Sequence, residues 1–313
     1  MNILITGING FVGTHLTALL LSKGHGVYGI DRRNNHTERL ALSLKNMGYT
    51  QSTEGITIFK NDLGDISSIT NIFQNHRIDA VVHLAGTAFV PEGWKDPAGI
   101  IKSNTLTTVN LLTGARDAGW KGRFLFVSSS DVYGKCELPI RETTPAIPDS
   151  PYAASKLAAE QFSLFFQKDG MDIIIARPFN HIGPGQKESF AVPAFIKRIE
   201  EALASNQSSI TVGDIHSARD FTDVRDVVSA YLLLLEKGSS GEVYNICSGQ
   251  MIAIIEILKE ILNIKKSNLS IQEDASLKRP EGVTMRYGAN DKLRALGWVP
   301  RYSLLDTLKE LVK

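Results

Sequence analysis

Short runs rich in Ile and Val recur at residues 2–6, 26–30, 56–59, 80–83, 124–127 and 172–176, separated by longer stretches whose apolar positions fall on helical spacing. Runs that are apolar throughout suit strands buried on both faces, and amphipathic stretches between them suit crossover helices. The pattern therefore predicts an α/β protein built on a parallel, doubly wound sheet. After the first run, Phe11, Val12, Leu16, Leu19 and Leu20 share one helical period, and Lys23-Gly24 supplies a basic last turn and a glycine C-cap. The chain thus opens as strand, glycine turn, helix. Residues 34–55 are polar and weakly periodic, which fits either a short helix with loops or an insertion.

From about Asn180 the regular alternation lapses into short strands and helices after Gly183-Pro184-Gly185. A smaller C-terminal lobe is expected there, dividing the chain into residues 1–179 and 180–313. The apolar helical stretch 224–236 and the strand 243–247 can return to the first lobe, so parts of 214–250 are expected to complete it. The Leu/Ile stripe of residues 252–262 reads as a packed helix.

Composition narrows the function classes. In 313 residues, 34 Lys and Arg balance 33 Asp and Glu, so no overall field favours nucleic acid or an anionic membrane. Cys136 and Cys247 are the two cysteines and form no Cys-x-x-Cys pattern, which argues against a disulfide framework or zinc site and fits a reducing, cytoplasmic setting. His83 and His181 lie outside any ligand-spaced cluster, so structural roles are expected and no metal is called for. No apolar stretch approaches the roughly twenty residues needed to span a bilayer.

The chemistry concentrates at the ends of the apolar runs. Gly7-Ile8-Asn9-Gly10-Phe11-Val12-Gly13 joins the first strand to the first helix, where glycines let the backbone approach a pyrophosphate at the positive helix end. Asp31 ends the second strand, where a carboxylate can hold the adenosine ribose hydroxyls and repel a 2′-phosphate, favouring NAD(H) slightly. Arg32 and Arg33 follow at once and could instead hold the phosphate of NADP(H). Asp62-Leu63 and Leu84-Ala85-Gly86 end the third and fourth strands, the edge at which such sheets bind ligands.

Three further elements reach the same edge: Ser128-Ser129-Ser130-Asp131-Val132-Tyr133-Gly134, Tyr152-Ala153-Ala154-Ser155-Lys156 and Arg177-Pro178-Phe179-Asn180. Tyr152 and Lys156 share a helix face, so an ammonium near the phenol would lower its pKa and make it a usable acid or base. A serine hydroxyl alongside could steady a developing alkoxide. Asp131 reads either as an auxiliary carboxylate or as a cap of the following turn.

Together these segments, in this order, resemble the extended short-chain dehydrogenase/reductases over essentially the whole chain. The resemblance implies a Rossmann-type domain with a smaller α/β substrate lobe, a nicotinamide cofactor and a nucleotide-sugar substrate. It selects Ser129, Tyr152 and Lys156 as the catalytic set, with Ser130 and Asp131 as auxiliary candidates. Gly7, Gly10, Phe11, Val12, Gly13, Asp31, Arg32, Asp62, Leu63, Leu84, Ala85, Gly86 and Pro178 are implied to line the cofactor, together with Tyr152 and Lys156. Asn180, Val192, Lys197, Arg219 and Arg279 are implied to meet the substrate, alongside Ser129. Residues 177–186, 191–195 and 241–249 look most like the GDP-4-keto-6-deoxy-D-mannose reductases, implying reduction of a GDP-linked C4 ketone to GDP-D-rhamnose. A nucleotide-sugar 4-epimerase and a GDP-D-mannose 4,6-dehydratase are the alternatives, and a non-catalytic dinucleotide-binding protein is the reading from another class. Residues 105–118 and 153–166 are similar to the family's helices that form a four-helix interface, implying a homodimer.

Overall fold

The computed structural model describes residues 1–33, 36–274 and 284–312. Strands β1 (Asn2–Thr6), β2 (Gly26–Asp31), β3 (Thr57–Lys60), β4 (Ala80–His83), β5 (Arg123–Val127) and β6 (Asp172–Pro178) are interleaved with seven helices. These are α1 (Phe11–Ser22), α2 (His36–Asn46), α3 (Ile66–Asn75), α4 (Val90–Lys95), α5 (Pro97–Ile101), α6 (Thr107–Asp117) and α7 (Pro151–Phe165). Then follow β7 (Asn180–Ile182), α8 (Ala191–Ala204), β8 (Ser209–Val212), β9 (Ala218–Arg219), β10 (Phe221–Asp223), α9 (Val224–Lys237) and β11 (Val243–Ile246). The remaining elements are β12 (Ile252–Ala253), α10 (Ile254–Ile264), β13 (Ser270–Glu273), β14 (Met285–Arg286), α11 (Asp291–Ala295) and α12 (Leu304–Leu311).

Seven strands form one sheet in the order β11-β6-β5-β4-β1-β2-β3, with every neighbouring pair parallel. The continuous apolar runs follow from burial on both faces. Leu4, Val81, Phe124, Phe126, Ile173 and Ile175 pack with α3, α6 and α7, while Ile3, Ile5, Val82, Leu125 and Ile174 pack with α1 and α9. Helix α2 settles the polar stretch after β2: Leu40 and Leu44, one turn apart, are both buried in the second of these cores. The returning segments pack as the apolar pattern implied, α9 through Val227, Tyr231 and Leu234, and β11 through Tyr244 and Ile246. A third core gathers Ile182, Val192, Ile199, Ile257, Leu258 and Leu308 from β7, α8, α10 and α12.

Two polar junctions tie this third core to the sheet. Asp220, between β9 and β10, is buried and accepts from Ser248 N (2.8 Å), Ser248 Oγ (2.6 Å) and Gly249 N (3.0 Å). Burial pushes its carboxyl up, and these bonds oppose that rise. His15 on α1 joins the Tyr49 hydroxyl (2.6 Å) to the Pro184 carbonyl (2.9 Å), locking the turn after β7, and its burial holds it below the ordinary imidazole value.

Candidate active site

The strand order reverses between β1 and β4, so the loops after these two strands diverge and open a crevice at the carboxyl edge of the sheet. The glycine turn occupies one wall. Gly7 has φ +73°, and a Cβ there would sit 3.1 Å from Ala85 N, so the turn and the Leu84–Gly86 segment approach backbone to backbone. Gly10 caps α1 without a side-chain hydrogen bond, and the first turn of the helix carries no acidic residue. Its N–H groups and positive end are thus left to an anion, which fits the pyrophosphate of a dinucleotide.

Asp31 stands at the far end of this wall and is buried. Its Oδ2 accepts from Asn9 Nδ2 (2.6 Å), and its Oδ1 accepts from Arg33 N (3.1 Å) and Nε (3.2 Å). Burial alone would raise this carboxyl, but the bonds from Arg33 and Asn9 outweigh it and hold the group below the usual carboxylate range. Arg32 is exposed beside it. Asp62 is exposed and turns back onto Gly64 N (2.8 Å), whereas Leu63 is buried against α3 and α6.

Helix α7 begins where the sequence allows it to. Ser150 caps it by accepting from Ala153 N (3.2 Å), and Pro151 occupies the first helical position. This start puts Tyr152 in the first turn and Lys156 in the second, both buried. Burial followed by the Asp131 charge pushes the Tyr152 phenol above its ordinary value, with the nearby Ser129 side chain opposing the rise. Lys156 departs from the expected arrangement. Its Nζ donates to the Val127 carbonyl (2.7 Å) and lies 5.0 Å from the Phe126 ring centre, so the protein alone raises rather than lowers the phenol. Burial lowers Lys156 itself to about 8, with Glu160 opposing.

Asp131 is not the cap of the turn that follows β5. That role falls to Ser129, whose Oγ accepts from Asp131 N (3.1 Å), leaving the Asp131 carboxylate to pair with Arg286. Ser130 and Pro178 are buried, and Asn180 is exposed on β7. Val192 is only 1% exposed and its side chain belongs to the third core. Lys197 is exposed and paired with Glu188 (2.5 Å). Arg219 on β9 donates to the Ala218 carbonyl (2.9 Å) and the Thr284 carbonyl (2.5 Å). Arg279 lies outside the described residues.

Asn104 and Arg286 carry no motif. Asn104 sits in a π-helical turn, Lys102–Leu106, where Oδ1 accepts from Thr87 N (2.8 Å) and Nδ2 donates to Ser155 Oγ (3.0 Å). It thereby braces the loop after β4 against the helix that carries Tyr152 and Lys156. The run Ser103-Asn104-Thr105 inside a helical stretch was its available signal, since such side chains compete with the helix backbone. His83 is structural: its ring nitrogens meet Thr6 Oγ1 (2.7 Å) and Thr108 Oγ1 (3.0 Å), and burial followed by Lys156 lowers it to about 3.

Comparison with known proteins places the chain among enzymes that act on nucleotide sugars. The family model described as GDP-mannose 4,6 dehydratase matches residues 4–311. A GDP-6-deoxy-D-mannose reductase from Pseudomonas aeruginosa is 38% identical, covering 98% of this chain and 95% of the relative. The solved structure of RMD from the same organism, complexed with NADPH, has 35% identity and a TM-score of 0.83, covering 100% of this chain and 98% of that one. A UDP-glucose 4-epimerase from Thermotoga maritima, solved with UDP-glucose, has 29% identity and a TM-score of 0.86, covering 100% and 97% of the two chains.

Proposed function

This chain belongs to the GDP-mannose 4,6-dehydratase family within the extended short-chain dehydrogenase/reductases, and we propose that it reduces the C4 ketone of GDP-4-keto-6-deoxy-D-mannose to GDP-D-rhamnose. That it is an NAD(P)-dependent oxidoreductase of nucleotide sugars is the firm ground for this reading. The observation that carries it is the buried Tyr152 phenol, which burial and Asp131 push above its ordinary value, as suits a donor to a ketone oxygen. When bound, the reduced nicotinamide supplies the hydride. Tyr152 delivers the proton to the C4 oxygen while Ser129 holds that oxygen. The Lys156 ammonium, fixed on the Val127 carbonyl, supplies positive charge beside the same helix turn.

Elimination of water from the sugar needs an acid and a base besides the tyrosine. Ser130 follows Ser129 where a second acid could stand, and the Asp131 carboxylate is committed to Arg286, which supports reduction over dehydration. Asp31, anionic and buried at the end of β2, supports NAD(H); Arg33 on the same carboxylate, together with the NADPH of the Pseudomonas structure, supports NADP(H). We favour NAD(H), and the ratio of kcat/KM for NADH and NADPH decides it.

Residues 1–179 with parts of 214–250 are proposed as the cofactor domain and 180–313 as the substrate lobe, supported by the separate third core. A homodimer through α6 and α7 is supported by exposed Ile101, Leu106, Phe162 and Phe165 along that face. Among the described residues no helix is long and apolar enough to cross a membrane. Two free cysteines support a reducing compartment such as the cytoplasm.

Mixing the protein with GDP-4-keto-6-deoxymannose and reduced cofactor tests the reading. Stoichiometric loss of nicotinamide absorbance with a new C4 alcohol is expected. Interconversion of C4 isomers without net consumption would make it an epimerase, and neither change would make it a binding protein.

A further inference from the structure

Arg286 comes from β14, 155 residues beyond the catalytic turn, yet it ends inside that turn. One guanidinium nitrogen pairs with Asp131 Oδ1, and the other donates to the Gly134 carbonyl (3.2 Å). The guanidinium thus spans the turn from its third residue to its last, while the Asp131 backbone N–H holds Ser129 Oγ. Arg286 is not a swinging arm. Its strand pairs in parallel with β9, with Arg286 opposite Arg219, and the adjoining segment is bonded on both sides of Ile140, by Ile140 N to Tyr287 O (3.0 Å) and Ala289 N to Ile140 O (2.8 Å). Its side chain is 16% exposed and that of Asp131 is 33% exposed, so the pair is partly withdrawn from water at the site's edge.

We propose that Arg286 is a positioning residue for the proton transfer: it fixes the Ser129–Gly134 turn against Tyr152 and withholds the Asp131 carboxylate from acid or base work on the sugar. The inference rests on Tyr152 being the proton donor. Among the described residues, the other charged or titratable groups around the pair are Tyr152 from α7, Cys136 and Asp149 from the loop before it, and Arg219 from β9. Asp131 opposes ionisation of the phenol, and by elementary electrostatics a guanidinium paired with that carboxylate weakens its field. Losing the guanidinium makes the phenol a weaker acid that stays protonated to higher pH, while the Ser129 turn loosens.

The test measures kcat, KM and the pH profile of ketone reduction for Arg286→Met, Arg286→Lys, Asp131→Asn and the double variant Asp131→Asn/Arg286→Met. Arg286→Met is expected to lower kcat about tenfold or more with little change in KM. Its alkaline limb should move to higher pH by about one unit. Arg286→Lys should fall between it and the unmodified enzyme. The double variant should return the limb to its original position or below, and Asp131→Asn alone should move it to lower pH. An unmoved limb in Arg286→Met, a double variant no better than Arg286→Met, or a rise in KM at full kcat overturns the proposal. If Arg286→Met does not fold, the Asp131→Asn limb decides: a downward move supports the proposal, and no move or an upward one overturns it. Full activity in Tyr152→Phe would instead remove the premise, a different failure with a different signature.

Discussion

The two walls of the crevice are built in opposite ways. The first wall is local: β1, the glycine turn and α1 are contiguous, and the Gly7 geometry, the uncapped helix start and the anchored Asp31 all arise within the first thirty-three residues. The substrate wall is assembled from afar, with the turn after β5, the start of α7 and β14 meeting at Asp131, Tyr152 and Arg286. The difference teaches where each function is vulnerable. Damage to the first wall acts through one backbone conformation, whereas damage to the second spreads through pairings that several segments share.

The strongest way to separate the walls is Tyr152→Phe, which should lower kcat by roughly 10²–10⁴-fold while leaving cofactor affinity nearly intact, measured by steady-state kinetics and nicotinamide fluorescence titration. Gly7→Val should do the reverse. The positive φ and the close approach to Ala85 leave no room for a branched side chain, so cofactor binding should be lost first, with a lowered Tm alongside. Lys156→Met sharpens the contrast by trading the two properties.

Burial lowers Lys156 from 10.5 to about 8, so the unfolded chain holds that proton more tightly than the native one, at a cost on the order of 3 kcal/mol below pH 8. The cost is fully present below about pH 8 and disappears as pH rises through 10.5. The methionine variant should therefore lose activity yet melt a few degrees higher at pH 7, with the gain fading in alkaline buffer. Asp31→Ala should shift the NADH to NADPH preference toward NADPH by about tenfold and leave ketone reduction with saturating cofactor unchanged. Phe162→Glu, on the exposed face of α7, should yield monomeric mass in light scattering with the smallest effect on either wall.

Legibility in the sequence followed the same divide. The strands, the glycine turn, α1 and the Tyr152–Lys156 helix were readable because apolar period and turn chemistry act over a few residues. The returns of α9 and β11 could also be read, since an apolar helix and strand need a core to enter. Asp131 was not settled by sequence, because its partner is 155 residues away and an arginine in a short strand carries no pattern. Helix spacing brings Lys156 to the right face, but it cannot say that the ammonium will bond the Val127 carbonyl.

The seventh strand of the sheet, β11, is made long after the other six, and it covers the outer edge of β6. A nascent chain that has emerged only as far as residue 179 therefore presents an open, apolar parallel edge, which invites pairing with a neighbour. Fragments ending there should aggregate through that edge. The seven-stranded sheet is finished only when the ribosome has passed through β7, α8 and α9.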